Sequence, residues 1–227
     1  MSSMKQLDPQ VLKSIALSRS IIYDLLSSCF LYPYRISDFE RLIKSRIPRA
    51  RDAAKYLSNL YPTMDLLMKF LDVAEGINNY DLLTPIEVDF TKVDYGAIPY
   101  EGYTHTGYLD MNVEISLRKL YADYDLALNK EFRDLRGDHI AVEFAFMSFL
   151  AYKEYEDSAD ALKYIEEEDY FISNHLLNWI PTFVSSALKL VKTDYFKLLL
   201  NFTRDFITRD RDVIGFVRDA YANPGGG

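Results

Sequence analysis

The stretch DHIAVEFAFMSFLAYKEYE, Asp138 to Glu156, contains neither glycine nor proline. Its large apolar side chains, Ile140, Val142, Phe144, Phe146, Met147, Phe149 and Leu150, go round the helix axis rather than marking one stripe. A helix that is apolar on all sides belongs in the middle of a protein. The spacing therefore predicts a central buried helix, opened by Asp138 as its N-cap.

Working outward, breakers stay rare. Between Gly107 and Ala222 only Gly137, Gly215 and Pro181 occur. So few turn residues favour helices over a many-turned β fold. Asp110–Tyr124 carries Val113, Leu117, Leu120, Tyr121 and Tyr124 at helical spacing. Ser158–Glu168 is amphipathic. Phe171–Val191 continues helical with a break or restart at Pro181, and a long last helix covers Asp194 to about Tyr221. Asn129–Gly137 is charged and reads as a linker or a frayed helix end.

Toward the N-terminus, Asp8-Pro9 offers a cap and a first-turn proline for a helix to about Leu31, ending before Pro33. Ser37-Asp38-Phe39-Glu40 reads as a capping box, followed by helices near Arg49–Leu60 and Thr63–Glu75. In Thr84–Tyr95 the alternation of Ile86, Val88 and Phe90 suggests a strand. The Thr84-Pro85-Ile86-Glu87 start signal favours a short helix, which is the expectation taken. Tyr95–Gly107, with three glycines and Pro99, reads as a loop. The fold expected is all-α, a single-domain bundle of roughly eight to ten helices. It covers residues 1–221, with a disordered Gly-rich tail at 222–227.

Composition narrows the function classes. Half of the 227 residues are apolar, enough for a sizeable core, and 18 Tyr and 14 Phe stand against one Trp. The net charge of −8 disfavours a nucleic-acid partner. Cys29 is the sole cysteine, which rules out an intramolecular disulfide. The most apolar early stretch, Ile15–Tyr32, contains Arg19 and Asp24 and is too polar for a membrane span. With no secretory signal pattern in Met1–Gln10, the expected compartment is the cytoplasm.

No phosphate-binding loop, dinucleotide turn, zinc-protease pair or nucleophile elbow is present. A zinc site would require His105, His139 and His175 to converge with carboxylates. Three clusters hold the remaining chemistry. Pro99-Tyr100-Glu101-Gly102-Tyr103 could receive a peptide with apolar and cationic residues, or could be a turn whose tyrosines pack back on the bundle. In Asp138-His139-x-x-x-Glu143, His139 and Glu143 are four apart and can pair on one helix face. They could form a polar floor for arginine, or a cap with a buried ion pair. An acid/base role for Asp138, His139 and Glu143 lacks any accompanying nucleophile or metal ligand. Phe171, His175 and Trp179 fall at i, i+4 and i+8, which reads most simply as a satisfied histidine beneath a core tryptophan.

Taken together, these clusters resemble the TorD/DmsD/NarJ family of redox-enzyme maturation chaperones. Asp89-Phe90-Thr91-Lys92-Val93 is a loose version of the family's Y-x-x-L-F, and Pro99–Tyr103 of its P-Y-E-S-x-Y. Asp138 through Leu150 follow D-H-x-x-x-E-x-x-F-M-x-x-L. Phe171 through Phe183 follow F-x-x-x-H-L-x-x-W-x-P-x-F. The order and spacing hold over roughly residues 11 to 207. Gly102 replaces the usual serine and Gly137 the proline before Asp138, while Leu135 and Arg136 stand where an acidic residue is common.

The resemblance implies an all-helical chaperone, sometimes a domain-swapped homodimer, with no catalysis and no cofactor of its own. Its partner would be a molybdopterin-containing oxidoreductase subunit, bound through its twin-arginine leader or its apo core. The leader would be held back from export until the molybdenum cofactor is inserted. Carried over by position, Pro99, Tyr100, Glu101, Tyr103, Asp138, His139 and Glu143 would form or border the peptide site. His175 and Trp179 would support it from beneath. Carboxylates such as Glu101 and Asp138 could meet guanidinium groups, and the apolar run could lie between helices. The alternative is a helical adaptor or regulator with a different polypeptide partner.

Overall fold

The computed structural model describes residues 8–33, 35–130, 132, 134–157 and 159–222. Within them the named elements are all helices, and nine of these exceed ten residues. They are α1 (Pro9–Cys29), α3 (Ile47–Leu57), α4 (Met64–Gly76), α5 (Tyr80–Gly96), α7 (Met111–Ala122), α8 (Ile140–Glu156), α9 (Ala161–Phe171), α10 (Leu177–Ala187) and α11 (Asp194–Ala222). Two short helices, α2 (Ile36–Leu42) and α6 (Glu101–Thr106), complete the set. The all-α bundle expected from the breaker-poor sequence is the fold observed. Of the expected tail at 222–227, Ala222 instead ends α11, and residues 223–227 lie outside the described residues.

The expected central helix is α8. Ile140, Phe144, Met147 and Leu150 are wholly buried, and its most extensive partner is α1. Serines let the two backbones approach. Ser20 and Ser148 each donate to the other's carbonyl at 2.9 Å, and Ser27 donates to the carbonyl of Ala141 at 2.7 Å. Around this pair, α3 packs on α1, α9 on α8, and α11 runs against α4, α9 and α10. Because α8 is apolar all round, it can be covered from several sides at once.

The core also contains a charge. Arg19, midway along α1, is fully buried. Its guanidinium binds Asp210 of α11 at 2.7 Å, Glu154 of α8 at 3.2 Å, and Glu168 of α9. Tyr23 donates to the same Asp210 at 2.6 Å, and Tyr61 adds a second hydroxyl. Four helices thus meet on one side chain. Burial and the adjoining acids push the Glu154 carboxyl well up, and burial raises Glu168 to about 7. Three carboxyls around one cation are tolerated because a proton remains among them.

Several local expectations are corrected. Ser37 lies inside α2, whose N-cap is Arg35 without a side-chain bond, so the Ser37–Glu40 capping box does not form. The helix expected from Thr84 begins earlier, at Tyr80. There the Asn79 carbonyl oxygen of the side chain accepts from the Leu82 amide at 3.0 Å, leaving Pro85 inside α5. The Tyr95–Gly107 loop contains α6, closed by Gly107 at φ 79° in the left-handed region. Glycine takes that conformation without steric penalty. The Pro181 break is absent. Instead a π-helical turn, Ile172–Leu176, joins α9 to α10, and Pro181 sits within α10.

Candidate functional site

At the C-terminal end of α5 the chain stops abruptly. Ile98 takes φ 54°, a conformation that branched side chains rarely adopt, and its amide reaches back to the carbonyl of Val93 at 2.8 Å. This turn aims Pro99-Tyr100-Glu101 at the residues preceding α8. The amide of Ile140 donates to the carbonyl of Pro99 at 3.0 Å, and the amide of Glu101 to that of Asp138 at 3.0 Å. Tyr100 and His139 form an antiparallel bridge, with ring centroids 4.8 Å apart in edge contact. Two segments that are far apart in sequence are thus clasped backbone to backbone. The bonds that position them also give α6 its start.

The side chains of the clasp are largely committed inward. The Asp138 carboxylate, fully buried, does not cap its own helix as expected. It accepts from Arg136 Nε at 2.9 Å and from the amide of Gly102 in α6 at 3.3 Å. Arg136 also pairs with Glu114 at 3.1 Å and donates to the carbonyl of Asp110 at 2.6 Å. The α8 cap is His139, whose Nδ1 accepts from the amide of Ala141 at 3.1 Å. That bond places the ring proton on Nε2. Burial pushes the His139 pKa down to about 3, so the ring is neutral.

Glu143 and His139 do not pair. Glu143 is fully buried and accepts from Trp179 Nε1 at 3.0 Å. Burial, followed by the charge of Glu101, raises its pKa well above the usual range, so it holds its proton. Glu101 is bound by His175 Nδ1 at 2.9 Å, with His105 Nε2 at 3.9 Å. The structure therefore unites Pro99, Tyr100, Glu101, Asp138, His139, Glu143, His175 and Trp179 in one network. Tyr103 is on α6 and only partly buried. The histidines do not converge on a metal: no group of three or more His, Cys, Asp and Glu among the described residues could hold one.

Against this frame lies a cavity of about 680 Å³, bounded by the end of α1, α2, α5 and the segment before α8. Phe30, Leu31, Tyr32, Leu42 and Leu135 supply apolar wall, and Asp94 and Asp134 supply acid. Of the clasp residues, His139 alone lines it. Asp94 and Arg136 were not singled out as site residues by sequence reasoning. Arg136 was noted only as a departure from an acidic position, although its place two residues before Asp138 was a signal for a local ion pair.

Fold and site together define an all-helical protein with a rigid two-segment clasp facing an apolar, acid-bearing cavity. A family model described as nitrate reductase delta subunit matches residues 87–185, the span that holds the clasp and its support. Among curated proteins the chain is similar to chaperone protein TorD of Vibrio cholerae, 26% identical over 216 residues, covering 89% of this chain and 94% of the relative. It is likewise similar to chaperone protein TorD of Vibrio parahaemolyticus, 26% identical over 187 residues (78% and 86%). A third relative, chaperone protein TorD of Photobacterium profundum, is 36% identical over 98 residues (40% and 44%). No solved structure matches at the same stringency. The resemblance to the TorD/DmsD/NarJ family drawn from the three clusters is thus borne out. The relatives are chaperones rather than catalytic enzymes, and they support a redox-enzyme maturation chaperone. No helix among the described residues is long and apolar enough to cross a membrane.

Proposed function

We propose that this chain is a cytoplasmic chaperone that binds the twin-arginine signal peptide, the apo form, or both, of a molybdopterin-containing oxidoreductase. Binding assists cofactor insertion and delays export until the client has folded. The observation that carries this reading is the position of His139: the residue clasped to Tyr100 also forms a wall of the apolar, acid-bearing cavity. An extended peptide with a cationic start and an apolar run has matching chemistry. In this reading Pro99, Tyr100, Glu101, Asp138 and Glu143 hold the frame through their inward bonds, and Tyr103 borders it. His175 and Trp179 brace the two carboxyls from below. The partner's cofactor stays with the partner.

Calorimetric titration with leader peptides of molybdoenzymes from the same genome tests the proposal. Binding is expected to weaken when the leader arginines are replaced, and to weaken with added salt. Failure of every leader to bind, together with no capture of a leaderless apo client, overturns the reading. It would favour the helical adaptor.

A further inference from the structure

Among the described residues, Asp94 is the cavity carboxylate without a partner. It lies in the last turn of α5, partly buried. No described residue hydrogen-bonds or ion-pairs with it, and desolvation alone raises it to about 6. Among the described residues the other charged groups facing the cavity are Asp38, Arg41, Lys130 and Asp134. Asp38 and Arg41 are 4.0 Å apart, while Asp134 has contacts of its own and Lys130 is solvent-exposed. On the adjoining wall His139 is only 4% exposed. With Nδ1 accepting from Ala141, its Nε2–H is a donor that no described residue receives. Tyr100 links the two: its ring meets His139, and burial, followed by the charge of Asp94, raises the pKa of its hydroxyl.

In this chain the carboxylates expected to read arginine are engaged elsewhere. Arg136 occupies Asp138, His175 occupies Glu101, and Glu143 holds a proton. We propose that Asp94, rather than Asp138, receives an arginine side chain of the bound peptide, and that His139 Nε2–H holds a neighbouring peptide carbonyl. The assignment rests on the peptide-binding reading above. A half-buried unpaired carboxylate is costly, and a guanidinium offsets the cost with two parallel N–H donors. The methylenes of an arginine would lie along Phe30, Leu42 and Leu135. Among the described residues no three or more His, Cys, Asp or Glu side chains gather here to hold a metal ion instead.

The test is calorimetric titration of wild type and Asp94→Asn with three synthetic peptides. Each has about twenty residues, to match a leader's span, and a leucine–alanine run. One carries Arg-Arg ahead of that run, and in the other two either arginine is replaced by Gln. D94N is expected to melt no lower than wild type, because it removes an uncompensated charge. It should weaken Arg-Arg binding about tenfold or more. That loss should vanish with one of the two Gln peptides, giving a positive coupling in the mutant cycle. Wild-type affinity should also rise between pH 5 and 7.5 and that of D94N should not. His139 and Tyr100, shifted to about 3 and about 12, are silent across this interval. Full Arg-Arg affinity in D94N, with arginine dependence intact, overturns the Asp94 assignment and leaves leader binding standing. An equal loss for all three peptides also overturns it. A wild type that binds no Arg-Arg peptide removes both.

Discussion

Arg136 closes on Asp138 at 2.9 Å and so places a guanidinium of this chain against the carboxylate that the sequence pattern offers to a guest. The pair is more than local. Through Glu114 and the carbonyl of Asp110, Arg136 ties α7 and the approach to it to the start of α8.

Removing that arginine should expose the cost of burying Asp138. Arg136→Ala leaves a fully buried carboxylate with one backbone amide as donor, and should lower stability by about 3 kcal/mol. Combining it with Asp138→Asn should recover part of the loss. Denaturant midpoints of the two single variants and the double variant measure the coupling.

Gly102 is also fixed by this carboxylate. A Cβ there would stand 3.0 Å from Asp138 Oδ2 and 3.1 Å from both the backbone and the Cβ of Asp110. Gly102→Ala should cost about 1–3 kcal/mol through overpacking. Gly102→Ser, although it restores the residue usual in the family pattern, should behave alike. Equilibrium unfolding would show it, and stability unchanged in both variants would contradict the crowding.

The core carboxyls should make stability fall as pH rises. Glu168 is raised to about 7 and Glu154 also lies well above its ordinary value. From about pH 4.5 upward the folded state therefore binds more protons than the unfolded one. Stability declines from there through pH 7. Glu154→Gln, which imitates the protonated partner, should flatten that decline in melting temperatures taken at pH 5, 6, 7 and 8.

His139 acts with the opposite sign. Its folded pKa of about 3 lies below its ordinary value of 6.5, so below pH 6.5 the unfolded state binds the extra proton. Stability is complete above pH 6.5 and is lost as pH falls toward 3. His139→Asn keeps a side chain that caps helices well and should reduce this acid loss. The two trends overlap between about pH 4.5 and 6.5, so only the variants, not the wild-type curve, can separate them.

Helices were the legible part of the sequence because apolar spacing and rare breakers are local signals. Thus α8, α7 and α11 lie close to where the side-chain pattern puts them. The segment containing α6 was not legible. Gly102, Gly107 and Pro99 read as loop, and six residues become helical because backbone bonds to Pro99 and Asp138 fix their start. At the α8 start the acid–base cluster was found but its roles were displaced: His139 caps, and Asp138 reaches across to α6. Which carboxylate keeps a free face depends on where Arg136 folds, and spacing alone does not contain that. Arg19 showed the same limit. In sequence it marked only a helix too polar for a membrane, because its three acidic partners are 135 to 191 residues away.

That separation governs how the chain can be made. Arg19 leaves the ribosome 191 residues ahead of Asp210. Until Asp210 follows, Glu154 and Glu168 can neutralise Arg19, but its Nε and the Tyr23 and Tyr61 hydroxyls lack their acceptor. The buried polar cluster is therefore complete only once α11 has docked. A nascent chain that stops short of residue 210 would leave two buried tyrosine hydroxyls unsatisfied and the core incompletely covered, a state prone to aggregate.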